Sequence, residues 1–128
     1  AEVLLIFAEA ESQANGSVTT EAYEAINKVR RRAYKLPINQ PSSVDLKNLS
    51  LQEFRDAIIR ERGFEFVMEV GKRYFDLVRT DSFKNQLKSI GKPATAGDLF
   101  PIPQAEINAN PLIKPEHQNS GYSVPGND

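Results

Sequence analysis

Residues 50–80 read SLQEFRDAIIRERGFEFVMEVGKRYFDLVRT, and this stretch decides how the rest of the chain can fold. Ser50 is followed three residues later by Glu53, which is the capping-box pairing that opens an α-helix. The apolar residues after it recur at helical spacing and predict one long helix that reaches about residue 70. Gly71 interrupts the pattern, and a shorter helix should complete the stretch.

The apolar residues of this stretch predict which surfaces are buried. In the long helix they are Phe54, Ala57, Ile58, Phe64 and Met68, broadened by Ile59, Phe66 and Val67. In the shorter helix they are Tyr74, Phe75, Leu77 and Val78. A glycine in mid-helix, Gly63, costs about 1 kcal/mol relative to alanine. We therefore expect another backbone or a bulky side chain to approach the helix there.

Three glutamates recur every four residues, at Glu61, Glu65 and Glu69, so they should share one helical face. Residues four apart on a helix lie about 6 Å apart, within reach of the spacing that glycoside hydrolases use for their acid and base. A metal site is a second hypothesis, but carboxylate dimetal sites in helical bundles need a Glu-x-x-His pair, which is absent here.

We favour a third interpretation, in which the charges hold the fold together and perform no chemistry. Six acidic and six basic side chains make residues 50–80 neutral, and buried carboxylates need nearby arginines. Such a network would fix how the helices and the Pro-rich tail dock. Its predicted members are Glu61, Arg62, Glu65, Glu69, Arg73, Asp76 and Arg79.

Two further helices are predicted before this stretch, over residues 1–15 and about 20–35. Gly16 suits the left-handed residue after the first helix, and Thr19 suits the cap of the second. With so short a turn between them, the two helices must form an antiparallel hairpin. The first is apolar on most sides, so we expect neighbours to sandwich it. The run Arg30–Arg32 could bind phosphate, but a solvated helix end matched to the helix dipole is favoured.

The other segments are predicted from their prolines. Residues 36–49 should form a surface loop. Residues 91–128 carry six of the eight prolines and should be irregular, with residues 99–103 extended. Short helical pieces are expected over residues 82–89 and 104–108, and disorder is expected after Tyr122.

Composition excludes several classes of protein. The 128 residues suit one domain, with 40% hydrophobic and 26% charged residues. A net charge of −1 gives no basic field for nucleic acid. Cysteine is absent and His117 is the single histidine, so thiolate sites and a Cys nucleophile are excluded, and no cofactor is predicted. The chain opens inside an apolar helical pattern, and we expect it to be a piece of a larger protein.

Two motifs resemble the C-terminal region of the SusD/RagB family of outer-membrane nutrient-binding lipoproteins. The first is ERGFEF at residues 61–66 with EVGKRYFDLVR at residues 69–79, where Val70 is extra relative to the family pattern. The second is LFPIPQAEINANP at residues 99–111, which leads to QNSGY at residues 118–122. In the family's ending, a proline usually stands at the position of Ser120, and residues 114–117 look like a small insertion.

The resemblance implies a mainly α fold: a tetratricopeptide-like hairpin, a long helix and an irregular Pro-rich tail packed on the helices, as a single domain over residues 1–128. It implies a non-enzymatic, surface-exposed protein of the outer membrane, lipid-anchored in its full-length form. Such a protein would bind a glycan or another nutrient and deliver it to a SusC-like TonB-dependent transporter.

The resemblance names no ligand-binding residue, because much of the family's ligand surface lies outside this region. Exposed aromatic side chains would be the natural contacts for sugar, and Tyr34 and Tyr122 are the candidates here. The alternative is a helical protein–protein interaction module without a small-molecule ligand.

Overall fold

The computed structural model describes residues 1–94 and 99–122, and these ranges contain helices and no β-strand. The mainly α fold class is thereby confirmed. The described elements are α1 (Glu2–Asn15), α2 (Thr20–Ala33), α3 (Leu51–Glu65), α4 (Lys72–Arg79), α5 (Phe83–Ser89), α6 (Gln104–Ala109) and a 3₁₀ turn (Pro115–His117). None of these helices is both long and apolar enough to cross a bilayer.

The chain divides into two compact units, and the division falls between Arg73 and Tyr74, inside α4. The first unit holds α1, α2, α3 and the loop between α2 and α3. The second begins at Tyr74 and holds the remaining helices. The sequence-based expectation of a single domain remains a prediction.

The first unit is built on the predicted hairpin. Gly16 adopts the left-handed conformation with φ of 63° and ends α1. The Thr19 hydroxyl accepts a hydrogen bond of 3.1 Å from the amide of Ala22 and caps α2. Helix α1 packs against α2 and α3. The shared core consists of Leu5, Ala8, Ala22, Ala25, Ile26, Val29, Phe54, Ile58 and Phe66.

One face of α1 is buried less than expected. Leu5 and Ala8 are fully buried, whereas Val3, Ile6 and Phe7 are exposed. The expectation that neighbours sandwich this helix is therefore wrong for the described part of the chain. Apolar residues on all sides of a helix indicate burial, but α1 is buried only along the stripe that meets α2 and α3.

The expectation that the end of α2 is solvated is wrong for Arg31, because only 2% of its side chain is exposed. Its guanidinium donates to both carboxylate oxygens of Asp45, with Nε–Oδ1 at 2.8 Å and Nη2–Oδ2 at 2.5 Å. It also donates to the carboxylate of Glu24 and to the carbonyl oxygen of Ile38. The hydrogen bonds from Arg31, followed by those from Ser42, lower the pKa of Asp45 to about 2.

These contacts fasten the loop of residues 36–49 to α2. Asn27 adds a second attachment, since its side chain accepts from the amide of Leu46 at 2.8 Å and donates to the Leu46 carbonyl at 3.1 Å. The surface loop was predicted, but the residues that hold it were not. Arg31 and Asn27 contact the loop only once it folds back onto α2.

Helix α3 begins as predicted and ends earlier. Ser50 and Glu53 form the full capping box, and the hydrogen bonds from Ser50 lower the pKa of the Glu53 carboxyl. The helix ends at Glu65, so Glu69 lies outside it and does not continue a carboxylate row. Phe64 and Met68 are exposed, although both were predicted on the apolar face. Burial of Phe54, Ile58, Ile59 and Phe66 is confirmed.

The second unit is organised around the ring of Tyr74. Its centroid lies 5.4 Å from that of Phe83 and 5.7 Å from that of Phe100. Leu77 is buried as predicted. Phe75 is exposed, so its predicted burial is wrong. The two short helices predicted from the sequence are confirmed as α5 and α6. The expected disorder after Tyr122 falls outside the described residues.

The extended segment around residue 101 is held by side-chain amides. The Gln118 side chain accepts from the amide of Ile102 at 2.7 Å and donates to its carbonyl at 3.0 Å. The Asn119 side chain donates to the carbonyl of Phe100 at 2.6 Å. The side-chain amides thus form hydrogen bonds with backbone N–H and C=O groups that have no helical partner in this proline-rich segment.

Candidate functional site

The predicted charge network is divided between the two units. Glu61, Arg62, Glu65, Glu69 and Arg73 belong to the first unit, and Asp76 and Arg79 belong to the second. A structural role for the seven residues as one network remains a prediction.

Two carboxylates of α3 pair with arginines at the end of α2. Arg30 Nη1 lies 2.9 Å from Glu61 Oε2, and the Glu61 side chain is almost completely buried. Arg32 pairs with Glu65 closer to the surface. Arg30 also donates from Nε to the carbonyl of Val44 at 2.9 Å. The run of three arginines is therefore engaged by protein carboxylates, which argues against a phosphate patch.

A second group of charges surrounds the ring of Phe66, just after α3. The Arg62 guanidinium lies 5.2 Å and the Lys72 ammonium 4.7 Å from the ring centroid, both as cation–π contacts. Lys72 also binds Glu2 at 2.5 Å and Glu69 at 3.2 Å. The pKa of Lys72 is raised, chiefly by its hydrogen bond to Glu2.

Arg73 lies against the helix at Gly63, where close approach was expected. Its Nη1 donates to the carbonyl of Ile59 at 2.9 Å. A Cβ added at Gly63 would lie 3.0 Å from the same nitrogen. The absence of a side chain at this position makes room for the guanidinium. In the second unit, Arg79 binds Asp76 one turn away, with Nη2–Oδ1 at 2.9 Å, and the Asp76 side chain is buried.

This arrangement is better suited to holding helices together than to acid–base chemistry. The carboxylates of Glu61 and Glu65 each accept from an arginine, and the third glutamate of the expected row lies beyond the helix end. Among residues 1–94 and 99–122, no three His, Cys, Asp or Glu side chains are placed to hold a metal ion.

A small cavity opens beside the Arg30–Glu61 pair. Its volume is about 250 Å³. It is lined by Arg30, Ala33, Tyr34, Glu61, Phe64 and Glu65. Of the two candidate aromatic contacts, Tyr34 is exposed, whereas Tyr122 is half-buried. Phe64 was predicted to be buried, because its position fits the apolar pattern of α3, but it is a surface residue.

Comparison with known proteins decides the family. The sequence profile of the SusD family matches residues 1–122. The chain belongs to the SusD family. The SusD-like protein P25 of Formosa agariphila is 34% identical over 131 residues, which cover 95% of this chain and 24% of that protein. The crystal structure of a SusD homolog from Bacteroides thetaiotaomicron VPI-5482 superimposes with a TM-score of 0.72 at 29% identity, and the match covers 94% of this chain and 25% of that one.

The SusD-family chain therefore spans about a quarter of the length of these relatives. The first family motif, at residues 61–66 and 69–79, contains the seven charged residues described above. It also contains Tyr74, whose ring contacts Phe83 and Phe100. Val70, the residue that is extra relative to the pattern, is fully exposed in the turn between α3 and α4. A turn accepts an added residue without shifting the register of either helix. The apparent insertion at residues 114–117 likewise coincides with the 3₁₀ turn.

Proposed function

We propose that this chain is the C-terminal part of a cell-surface protein that binds a glycan or another nutrient without catalysis. The observation that carries the proposal is membership of the SusD family over residues 1–122. The pairing of Glu61 and Glu65 with arginines supports the non-catalytic part, because both carboxylates are already engaged in binding other helices.

The full-length protein would be lipid-anchored at the outer membrane and would deliver its ligand to a SusC-like TonB-dependent transporter. Family membership supports this assignment, and a direct test is co-purification. Affinity capture of the full-length protein from detergent-solubilised outer membranes should retain a TonB-dependent transporter in stoichiometric amount. Capture of the full-length protein from the soluble fraction, without a transporter, contradicts the assignment.

Ligand binding is tested by comparing the full-length protein with the 128-residue chain. We expect glycan-array and calorimetric titrations to show binding by the full-length protein, with the bound glycan recovered at its original chain length. A shortened glycan after incubation would instead favour hydrolysis. A Glu61→Gln variant that stays folded and loses that hydrolysis would assign it to the carboxylates.

A second candidate function is a helical protein–protein interaction module. A groove of about 450 Å³ between α1 and α2 favours it, because its lining combines the apolar Leu4, Phe7 and Ala25 with charged side chains. Amphipathic helices bind grooves of this kind through apolar anchors. If the full-length protein binds no glycan and the 128-residue chain binds a helical peptide, with loss of binding on Phe7→Ala, this second function replaces the first.

A further inference from the structure

The cavity between the C-terminal turns of α2 and α3 combines exposed rings with charged groups. Tyr34 is 60% exposed and Phe64 is 69% exposed, and both line the cavity. Large exposed aromatic side chains cost free energy in water unless something covers them. The Arg30 guanidinium lies 6.0 Å from the centroid of the Tyr34 ring, so one face of that ring is partly covered. The other face of Tyr34 and the ring of Phe64 are apolar surfaces that a ligand can contact.

The lining of the cavity includes two hydrogen-bonding side chains that are paired with each other, Arg30 and Glu61. Arg30 uses Nε for the Val44 carbonyl and Nη1 for Glu61. Among the described residues, its Nη2 and the Oε1 of Glu61 have no protein partner. A donor and an acceptor therefore remain on the two paired side chains, and the ion pair restricts the motion of both.

The charges also restrict the class of ligand. The charged groups that line the cavity are Arg30, Glu61 and Glu65. Arg30 pairs with Glu61, and Glu65 pairs with Arg32, which lies outside the lining, so the two ion pairs together carry no net charge. An anionic group would meet the like charge of the Glu61 and Glu65 carboxylates, and a cationic group the like charge of the Arg30 guanidinium. A neutral ligand with an apolar face and hydroxyl groups at its edge suits both the aromatic rings and the Arg30–Glu61 pair. Sugar rings have this combination, with C–H groups on their faces and hydroxyls at their edges.

We propose that this cavity is a neutral-sugar subsite, in which Tyr34 and Phe64 contact the faces of a sugar unit and the Arg30–Glu61 pair binds its hydroxyls. The inference rests on the proposed glycan-binding function and adds the site and the charge class of the ligand. The volume of about 250 Å³ is just below that of drug-sized ligand sites and suits one sugar ring with its neighbours in solvent.

The test uses the ¹⁵N-labelled 128-residue chain and three neutral probes, which are cellohexaose, xylohexaose and maltohexaose. At millimolar concentration, at least one probe should shift the resonances of Tyr34, Phe64 and the Arg30 Nε–H group. Tyr34→Ala and Phe64→Ala should each weaken that binding by roughly tenfold. Tyr34→Phe keeps the ring face and should bind within about twofold of the wild type.

Phe75→Ala is the matched control, because Phe75 is 66% exposed and belongs to the second unit. It should leave probe binding unchanged. If a probe binds equally well to the wild type, Tyr34→Ala and Phe64→Ala, the subsite is wrong while the glycan-binding function stands. If none of the three probes binds this chain, the subsite is also wrong, and the array on the full-length protein then decides the proposed function separately.

Discussion

Gly63 and Arg73 show how a single missing side chain shapes the first unit. The Arg73 guanidinium donates to the Ile59 carbonyl across the surface that Gly63 leaves open. A mid-helix glycine was visible in the sequence, and the need for close approach followed from its cost. The identity of the partner did not follow, because Arg73 reaches this position only after the chain turns between α3 and α4.

Gly63→Ala is predicted to lower stability, although alanine favours a helix by about 1 kcal/mol over glycine. The added methyl would lie 3.0 Å from Arg73 Nη1 and displace its hydrogen bond. The control is the same substitution in an Arg73→Ala background, where it should stabilise by about 1 kcal/mol. Denaturant unfolding of the four proteins measures this reversal. Equal effects in both backgrounds would mean that Gly63 makes no room for Arg73.

Asp45 should make stability depend on pH in the acid range. Its pKa is about 2 in the folded protein, against an ordinary value of 3.8, because Arg31 and Ser42 bind the charged form. A lowered pKa stabilises the fold above pH 4, and that contribution is lost as pH falls through about 2. After allowance for solvent screening near the surface, it amounts to roughly 1–2 kcal/mol.

The measurement is denaturant unfolding of the wild type and Asp45→Asn between pH 5 and pH 2. The wild-type advantage at pH 5 should shrink as the solution is acidified, because protonation gives the wild type a neutral side chain as well. An advantage that stays constant down to pH 2 would show that the Arg31–Asp45 contact does not depend on the charge of Asp45.

At the scale of elements, local signals predicted the starts of helices better than their ends. The capping box of α3 and the Thr19 cap depend on residues three apart, so sequence alone is sufficient. The end of α3 is set by more distant contacts. Phe66 is buried beneath the Arg62 and Lys72 side chains, and the apolar residues after it turn outward, although their spacing favoured continued helix.

Ser50→Ala is predicted to destabilise the protein by about 1 kcal/mol, because the substitution removes the hydroxyl that accepts from the Glu53 amide. Ser43→Ala is the control, since Ser43 is exposed in the preceding loop. Thermal unfolding should distinguish the two variants. Equal melting temperatures would show that the capping box does not stabilise the start of α3.

The ion pairs between α2 and α3 should differ in energy according to burial. Glu61→Ala leaves Arg30 without its carboxylate in a largely buried site and should cost about 2 kcal/mol. Glu65→Ala removes the partner of the exposed Arg32 and should cost less than about 1 kcal/mol. Denaturant unfolding compares them within one helix. A larger loss for Glu65→Ala would contradict a stabilising role for the buried pair.

For the whole molecule, the family motifs in the sequence indicated the fold class and the family, and both are confirmed. The candidate site was only partly visible. Tyr34 was one of two candidate aromatic contacts, but Phe64 fits the apolar pattern of α3, and nothing in the sequence indicated that it lines a cavity with Tyr34. Which residues share a cavity depends on how α2 and α3 are placed, and these helices are joined by the shared hydrophobic core and by the Arg30–Glu61 pair.

The two compact units lead to a prediction about folding independence. Every residue of the shared hydrophobic core lies between Leu5 and Phe66. A chain that ends at Asp81, after α4, should therefore keep a cooperative thermal transition by circular dichroism. Phe54→Ala should destabilise both the truncated and the complete chain by about 3–5 kcal/mol, because it empties the same fully buried position. If truncation abolishes the transition, residues beyond Asp81 belong to one cooperative domain with the helical hairpin, as the sequence-based expectation of a single domain requires.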